Sequence, residues 1–358
     1  MNASLELLAA MLPEDVDAAL IASEVNRRYF TGFSSDAGYL LLTKKDAFLL
    51  TDFRYTEAAR NTARGAEVIE FRKLSETLSG LIGKLGIQSV ALEGSGFTIN
   101  EGLRIEKMLE PAKAVKNEKL DEAIGKLRVV KTTSEIESIM QAQRITERAL
   151  QDILPMVKEG TAERDIALEL EYRMRKLGAE GISFDLITIA GANTSMPHGV
   201  PGDYRIRSGD FVTFDIGALY NGYHSDMTRT YAIGEITEKQ RRVYNTVLQA
   251  QKLGLEAVKA GVKAGDVDKA ARDYIYQAGY EGCFGHSTGH GVGLDIHELP
   301  TVSSGNETVL QSGMVITVEP GIYIPGEFGV RIEDTVVVTS DGYINLCTIP
   351  KDIEYCTL

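Results

Sequence analysis

The chain has 358 residues, room for two domains, and its 44% hydrophobic and 25% charged residues are ordinary for a soluble globular protein. A net charge of -13 argues against nucleic acid as a main partner, because phosphate binding needs a basic face. Three cysteines, Cys283, Cys347 and Cys356, with no CxxC pair among them, exclude a disulfide framework and point to a reducing, cytoplasmic compartment.

The N-terminal segment carries Glu6, Glu14, Asp15 and Asp17 and lacks the basic-then-apolar pattern of a signal peptide. No run approaches the roughly 18 apolar residues of a membrane span, so no membrane partner is expected. Short apolar runs at 18–23, 38–43, 47–52 and 89–94 predict buried strands. Helical spacing over 54–63, 74–85 and 101–109 alternates with them. These elements predict an α/β domain over residues 1–125. It gathers no cluster of histidine, cysteine and carboxylate, so a scaffold or recognition role is expected of it. A charged stretch then joins it to a second domain, residues 126–358. Thr132 to Glu135 reads as a helix start, a hydroxyl cap followed by acid in the first turn, and Pro155 as its stop.

The second domain contains an internal repeat. Residues 157–181 align without gaps on 258–282, and SGDFVTFDIG (208–217) aligns on SGMVITVEPG (312–321), which places Asp215 on Glu319. Two matches in the same order predict two similar halves, each a helix with a β-hairpin, and carboxylates from both meeting between them.

Each predicted hairpin opposes two acids. Asn221-Gly222 is a strong two-residue turn signal, because both positions need positive φ. That turn sets Gly217 against Asp226, with Asp215 diagonally across on the same face. In the second hairpin Glu319 and Glu333 are an even number of residues apart, about a turn between Gly326 and Gly329, and can face one another. Like charges opposed inside apolar strands destabilise a sheet unless a cation binds them. All five histidines lie between positions 198 and 297, and His286, His290 and His297 sit in the glycine-rich run GHSTGHGVGLDIHELP. Four carboxylates with one imidazole make an oxygen-rich set. That set suits two divalent ions and two-metal hydrolysis, with manganese favoured and cobalt or zinc admissible.

The blocks FDLITIAGANTSMPHG (184–199), FDIGALYNGYHSDMTRTYAIG (214–234), GHSTGHGVGLDIHE (285–298) and VEPGIYIPGEFGVRIED (318–334) occur in an order that resembles the pita-bread metallopeptidases, in their aminopeptidase P and prolidase branch. NRRYFTGF (26–33) and TDFRYTEAA (51–59) resemble the creatinase-like N-terminal domain. The resemblance implies a creatinase-like α/β domain followed by a pita-bread catalytic domain, an α+β fold of duplicated α/β-hairpin units. It implies Asp215 as a terminal ligand of one ion, His290 and Glu319 as ligands of the other, and Asp226 and Glu333 as bridges. Glu319 is also the implied proton shuttle, and His297 the donor to the tetrahedral oxyanion. His198 is the implied contact to the scissile peptide or the product side. His286 is the implied wall of the proline pocket, and Arg331 a neighbour of the ligands or of the substrate. Tyr223, Tyr323 and Phe184 could also line that pocket, with core packing on strands the favoured reading of any one of them. The implied substrates are peptides with proline second, and the implied assembly is a homodimer or larger.

Three alternatives stand beside this reading. Creatinase and non-enzymatic binding proteins share the fold but lack part of the ligand set, whereas all five positions are filled here. Methionine aminopeptidases resemble only the C-terminal two thirds. Within the branch, TDFRYTEAA favours an Xaa-Pro aminopeptidase over a prolidase restricted to dipeptides.

Overall fold

A computed structural model describes residues 1–358, which divide into two compact units, Met1–Arg128 and Val129–Leu358. No helix is long and apolar enough to cross a membrane, and all three cysteines are free.

The first unit is built on a six-stranded mixed sheet. Its central strand Ala18–Ile21 runs antiparallel to Tyr39–Thr43 and parallel to Ser89–Leu92. Alternation along the strands sorts side chains to two faces. Ala19, Ile21, Leu40 and Leu42 pack with Leu5, Leu8 and Phe30, while Ala18, Leu20 and Leu41 pack with Leu78, Ile82 and Leu109. The charged stretch expected as a connector is instead the helix Lys119–Val129. Leu120, Ala123 and Ile124, at helical i, i+3 and i+4 spacing, bury one of its faces in this unit's core. The unit therefore runs to Arg128 rather than closing at 125.

The second unit begins with the 21-residue helix Thr133–Ile153, whose Thr132 and Glu135 form the reciprocal capping box. A 3₁₀ turn, Leu154–Met156, replaces it at Pro155, where the helix loses a backbone donor. The two copies of the repeat form the helices Glu163–Lys176 and Ala264–Ile275. Ile166, Leu170 and Met174 line the buried face of the first, and Val267, Ala271 and Ile275 stand at the corresponding places in the second. Each helix thus presents one apolar stripe to the core and leaves its sheet to present the polar side chains.

The first hairpin keeps one register from base to tip. Phe211–Ile216 pairs antiparallel with Met227–Ala232, Asp215 opposite Thr228, and Ala218–Tyr220 pairs with Tyr223–His224. Gly217 and Asp226 fall opposite each other between these two segments. A Cβ on Gly217 would stand 2.0 Å from the Ser225 carbonyl oxygen, so the close approach there requires glycine. The turn is Asn221-Gly222, with φ of 49° and 77°, the left-handed pair that a type I′ turn requires. The second hairpin behaves alike. Val318 opposes Asp334 and Gly321 opposes Arg331, which sets Glu319 against Glu333. Its turn is the three residues between Ile324 and Phe328, centred on Gly326.

Candidate metal centre

Asp226 and Glu333 leave the ends of two different hairpins, and His290 comes from the short strand Gly289–Gly291. Ligand atoms of these three lie within 4.8 Å of one another. His290 Nε2 stands 3.5 Å from Asp226 Oδ2 and 3.4 Å from Glu319 Oε1, so the fourth residue adjoins the cluster through the imidazole. Asp215 accepts a hydrogen bond from Arg331 Nη2 at 2.6 Å, and its charge is felt at Asp226, Glu319 and Glu333.

The electrostatics are those of anions crowded out of water. Burial, then Glu333, Asp215 and Glu319, push the Asp226 carboxyl well above the usual carboxylate range. Burial, then Glu319 and Asp215, do the same to Glu333. Burial, with Asp215 adding repulsion, raises Glu319 to about 8 even though Arg331 opposes the shift. Burial lowers His290 to about 4, keeping its ring neutral and able to ligate. Glu333 Oε1 is buried and has no hydrogen-bond partner. A fully buried carboxylate oxygen without a donor, beside three more acids and a neutral imidazole, fits a site for divalent cations.

Neighbouring side chains hold the donors in place. Thr228 donates to Glu333 Oε2 at 2.7 Å, and Thr317 donates to Glu319 Oε1 at 3.2 Å while accepting from the His290 backbone N–H. Behind the cluster the buried Arg229 donates to the Glu333 carbonyl and to Asp334 Oδ1 at 2.8 Å. Asp334 also takes Lys351, and together these cations hold its carboxyl far below the usual range against the cost of burial.

The remaining predicted residues form the surrounding walls. His286 Nε2 lies 2.9 Å from the Tyr323 hydroxyl, which accepts from Arg331 Nη1 at 2.7 Å. Burial lowers His286 to about 4, and the nearby Arg331 and His198 add to that, which places His198 close enough to be felt. His198 itself is exposed on the loop after Ile187–Ala190. His297 is exposed too, its ring centroid 4.4 Å from that of His290 in an edge-to-face arrangement. Two pocket candidates part company. Tyr323 lies between His286 and Arg331, on the site. Tyr223 does not: it packs against the cluster of Ile139, Val292, Val315, Val337 and Leu346 and donates to Glu135 Oε1 at 2.8 Å, near the tip of the first hairpin. Phe184 is half-buried between the strands Gly181–Ile182 and Ile187–Ala190. Thr228, Thr317 and Arg229 were not singled out from the sequence. Their one legible signal is polar side chains in strands that are otherwise wholly buried.

Comparison with known proteins bears on this arrangement. The sequence profile of metallopeptidase family M24 matches residues 137–340, and that of the creatinase/prolidase N-terminal domain matches residues 5–130. The Xaa-Pro dipeptidase of Pyrococcus furiosus is 41% identical over 355 residues, 99% of this chain and 100% of the relative. The structure of an Xaa-Pro dipeptidase from Bacillus anthracis superposes with a TM-score of 0.95 at 41% identity, covering 99% of each chain. That of an X-Pro aminopeptidase from Thermotoga maritima gives 0.90 at 37% identity, covering 96% of this chain and 98% of the other. With paired acids on two duplicated hairpins and full-length relatives at this level of identity, the chain belongs to metallopeptidase family M24, with a creatinase/prolidase N-terminal domain ahead of a pita-bread catalytic domain.

Proposed function

We propose that the protein is an Xaa-Pro dipeptidase, a prolidase that hydrolyses the bond between a residue and a C-terminal proline. The observation that carries this reading is full-length similarity, 41% over 99% of the chain, to a protein that bears that activity in its name. The preference for an aminopeptidase rested on TDFRYTEAA, and the structure gives those residues another task. Asp52 caps the helix Phe53–Thr62 by accepting from the Arg54 backbone N–H at 2.9 Å, and its carboxylate pairs with the Arg54 side chain. The motif is a helix start in the first unit.

Asp215, Asp226, His290, Glu319 and Glu333 would hold two divalent ions. Manganese is the proposed pair, on the ground of an oxygen-rich donor set. When bound, the ions supply Lewis acidity and an acidified water. The chain's own groups do the rest. Glu319, within reach of His290 and Thr317, takes and returns the proton. His297 donates to the oxygen on which negative charge develops. His286, held by Tyr323, shapes the wall that receives the proline ring, which brings no amide hydrogen to the scissile bond. His198 contacts the substrate from the facing loop. Arg331 has donors committed to Asp215, Tyr323, Thr228 and the Pro197 carbonyl, so it orients these groups. The proposal extends to a homo-oligomer in the cytoplasm, as the family resemblance implies.

The test is to incubate the manganese-loaded protein with Ala-Pro and with Ala-Pro-Ala. Alanine released from the dipeptide alone is expected. Release from the tripeptide at a comparable rate would return the assignment to an aminopeptidase P.

A further inference from the structure

Glu163 opens the helix Glu163–Lys176, yet its side chain caps nothing in that helix. It is 1% exposed and reaches across to both ends of one loop. Its Oε1 accepts from the Ala190 backbone N–H at 2.7 Å and from Asn193 Nδ2 at 2.9 Å. Its Oε2 accepts from the Gly202 backbone N–H at 2.9 Å. Its carbonyl accepts from the Thr188 hydroxyl at 3.1 Å, and its own N–H donates to the Tyr204 carbonyl. The helix N-terminus suits the negative charge, and the donors from the loop replace the water that burial removed.

What this carboxylate closes is the segment 190–202, which carries His198. The segment also docks on the second hairpin. The Thr194 hydroxyl accepts from the Gly329 N–H at 2.9 Å, and the Pro197 carbonyl accepts from Arg331 Nη1 at 3.3 Å. Beyond Ala190, none of its side chains belongs to the hydrophobic core. His198 is exposed between Met196 and Val200, which are 48% and 84% exposed. A segment with such a tip keeps a fixed shape only if its base is fixed. Glu163 is the single side chain that grips both ends of that base.

We propose that Glu163 is a positioning residue for substrate binding. It staples the ends of the 190–202 loop so that His198 faces the His286 wall, and it acts on the substrate only through that loop. The inference rests on the Xaa-Pro reading of the site for its kinetic consequence, and not for its structural one.

Glu163→Gln keeps the shape but places an amide N–H against a backbone N–H at one end of the loop. The full-length, metal-loaded variant is expected to show KM for Ala-Pro raised on the order of tenfold, with kcat changed less. Its bound metal, by elemental analysis, stays as in the wild type, since no ligand lies on the loop. In a His198→Ala background the same substitution adds less than about a twofold further effect, because one route cannot be lost twice. Hydrogen exchange is the readout that needs no activity: backbone amides within 191–201 exchange faster in the variant while those of Phe211–Ile216 do not. Asn193→Ala, which removes one donor and leaves the buried carboxylate its other two, shifts KM in the same direction by less, and it stands in if Glu163→Gln does not fold. A lowered melting temperature with unchanged KM, effects that multiply in full on His198→Ala, or unaltered exchange in the loop would each overturn the proposal. If the wild type cleaves no Xaa-Pro peptide, the function assignment fails, and the exchange experiment alone decides on Glu163.

Discussion

The two hairpins of the catalytic unit are built on one plan and filled differently. In the first, Asp215 opposes Thr228 and Gly217 opposes Asp226; in the second, Glu319 opposes Glu333 and Gly321 opposes Arg331. The alignment that puts Asp215 on Glu319 therefore puts Thr228 on Glu333 and Asp226 on Arg331. One position holds an acid in both copies, a second holds glycine in both, a third holds threonine in the first copy and an acid in the second, and the fourth holds an acid in one copy and a cation in the other. The copies are also laced together by those unlike positions. Thr228 donates to Glu333, while Arg331 donates to Asp215 and, through Nε, to Thr228 at 3.2 Å. Duplication supplied a scaffold that opposes two side chains on each ribbon. Divergence at the partner positions left four acids in the middle and one guanidinium to orient them. A centre with Asp at both of those places would carry more negative charge than two ions can balance.

Changing the two unlike positions should have opposite consequences for stability, which is the sharpest way to break the comparison. Asp226→Asn removes an acid from a crowd in which burial and three like charges already oppose its ionisation. Turnover is expected to fall by at least about a thousandfold with loss of bound metal, since one of the proposed ligands is gone. The chelated variant is expected to be more stable than the chelated wild type, by about 1–2 kcal/mol in urea. Normal turnover at saturating manganese would remove Asp226 from the centre. Arg331→Met goes the other way. It strands Asp215, with the pair 5% and 14% exposed, and such a loss costs about 3–5 kcal/mol. Activity in the folded fraction falls on the order of a hundredfold as Tyr323 and Asp215 lose their common donor. If both variants lose stability in the chelated state, the two places are not counterparts.

A titration sharpens the same point. In chelated protein Glu319 is raised from an ordinary 4.5 to about 8, so the folded state binds more protons than the unfolded state between those values. Stability contributed by that proton is present at low pH and lost as pH rises towards 8. The melting temperature of the chelated protein is therefore expected to drop by several degrees from pH 5 to pH 8. Manganese-loaded protein should show no such drop, because the ions take the place of the protons. A flat profile in both would mean that the acids are not crowded.

Both registers were legible in the sequence because a turn fixes a hairpin. Asn221-Gly222 admits one pairing, and the even spacing of Glu319 and Glu333 about Gly326 places both on one face. His290 was legible through its glycines. The supporting contacts were not, since they join residues far apart in the chain. Thr228 meets Glu333 across 105 positions, and Glu163 meets Gly202 across 39, with no local pattern to announce either. Tyr223 takes the core-packing reading favoured for it, against a partner that its own hairpin does not reveal. Its place beside an Asn-Gly turn puts it at the hairpin tip, and the helix Thr133–Ile153 that packs there with Glu135 is not visible from the hairpin's own residues. The connector read from its charge was a helix for a similar cause, because Lys and Glu can cover one face while Leu120, Ala123 and Ile124 bury the other.

The smallest expected effect falls on the threonine that ties the copies together. Thr228→Val keeps the shape, removes the donor to Glu333 Oε2 and removes an acceptor of Arg331 Nε. The hydroxyl is fully buried, so its loss leaves one carboxylate oxygen and one guanidinium N–H less satisfied, at a cost of about 1–2 kcal/mol. Manganese affinity, followed by titration into chelated protein, is expected to weaken on the order of tenfold, the usual effect of a partner hydrogen-bonded to a ligand. Turnover at saturating manganese should recover most of the wild-type rate, because Thr228 orients a ligand and touches no substrate. Thr228→Ser, which restores the hydroxyl, should restore the affinity. If the serine variant binds manganese as weakly as the valine variant, the hydroxyl is not what holds Glu333 for the metal.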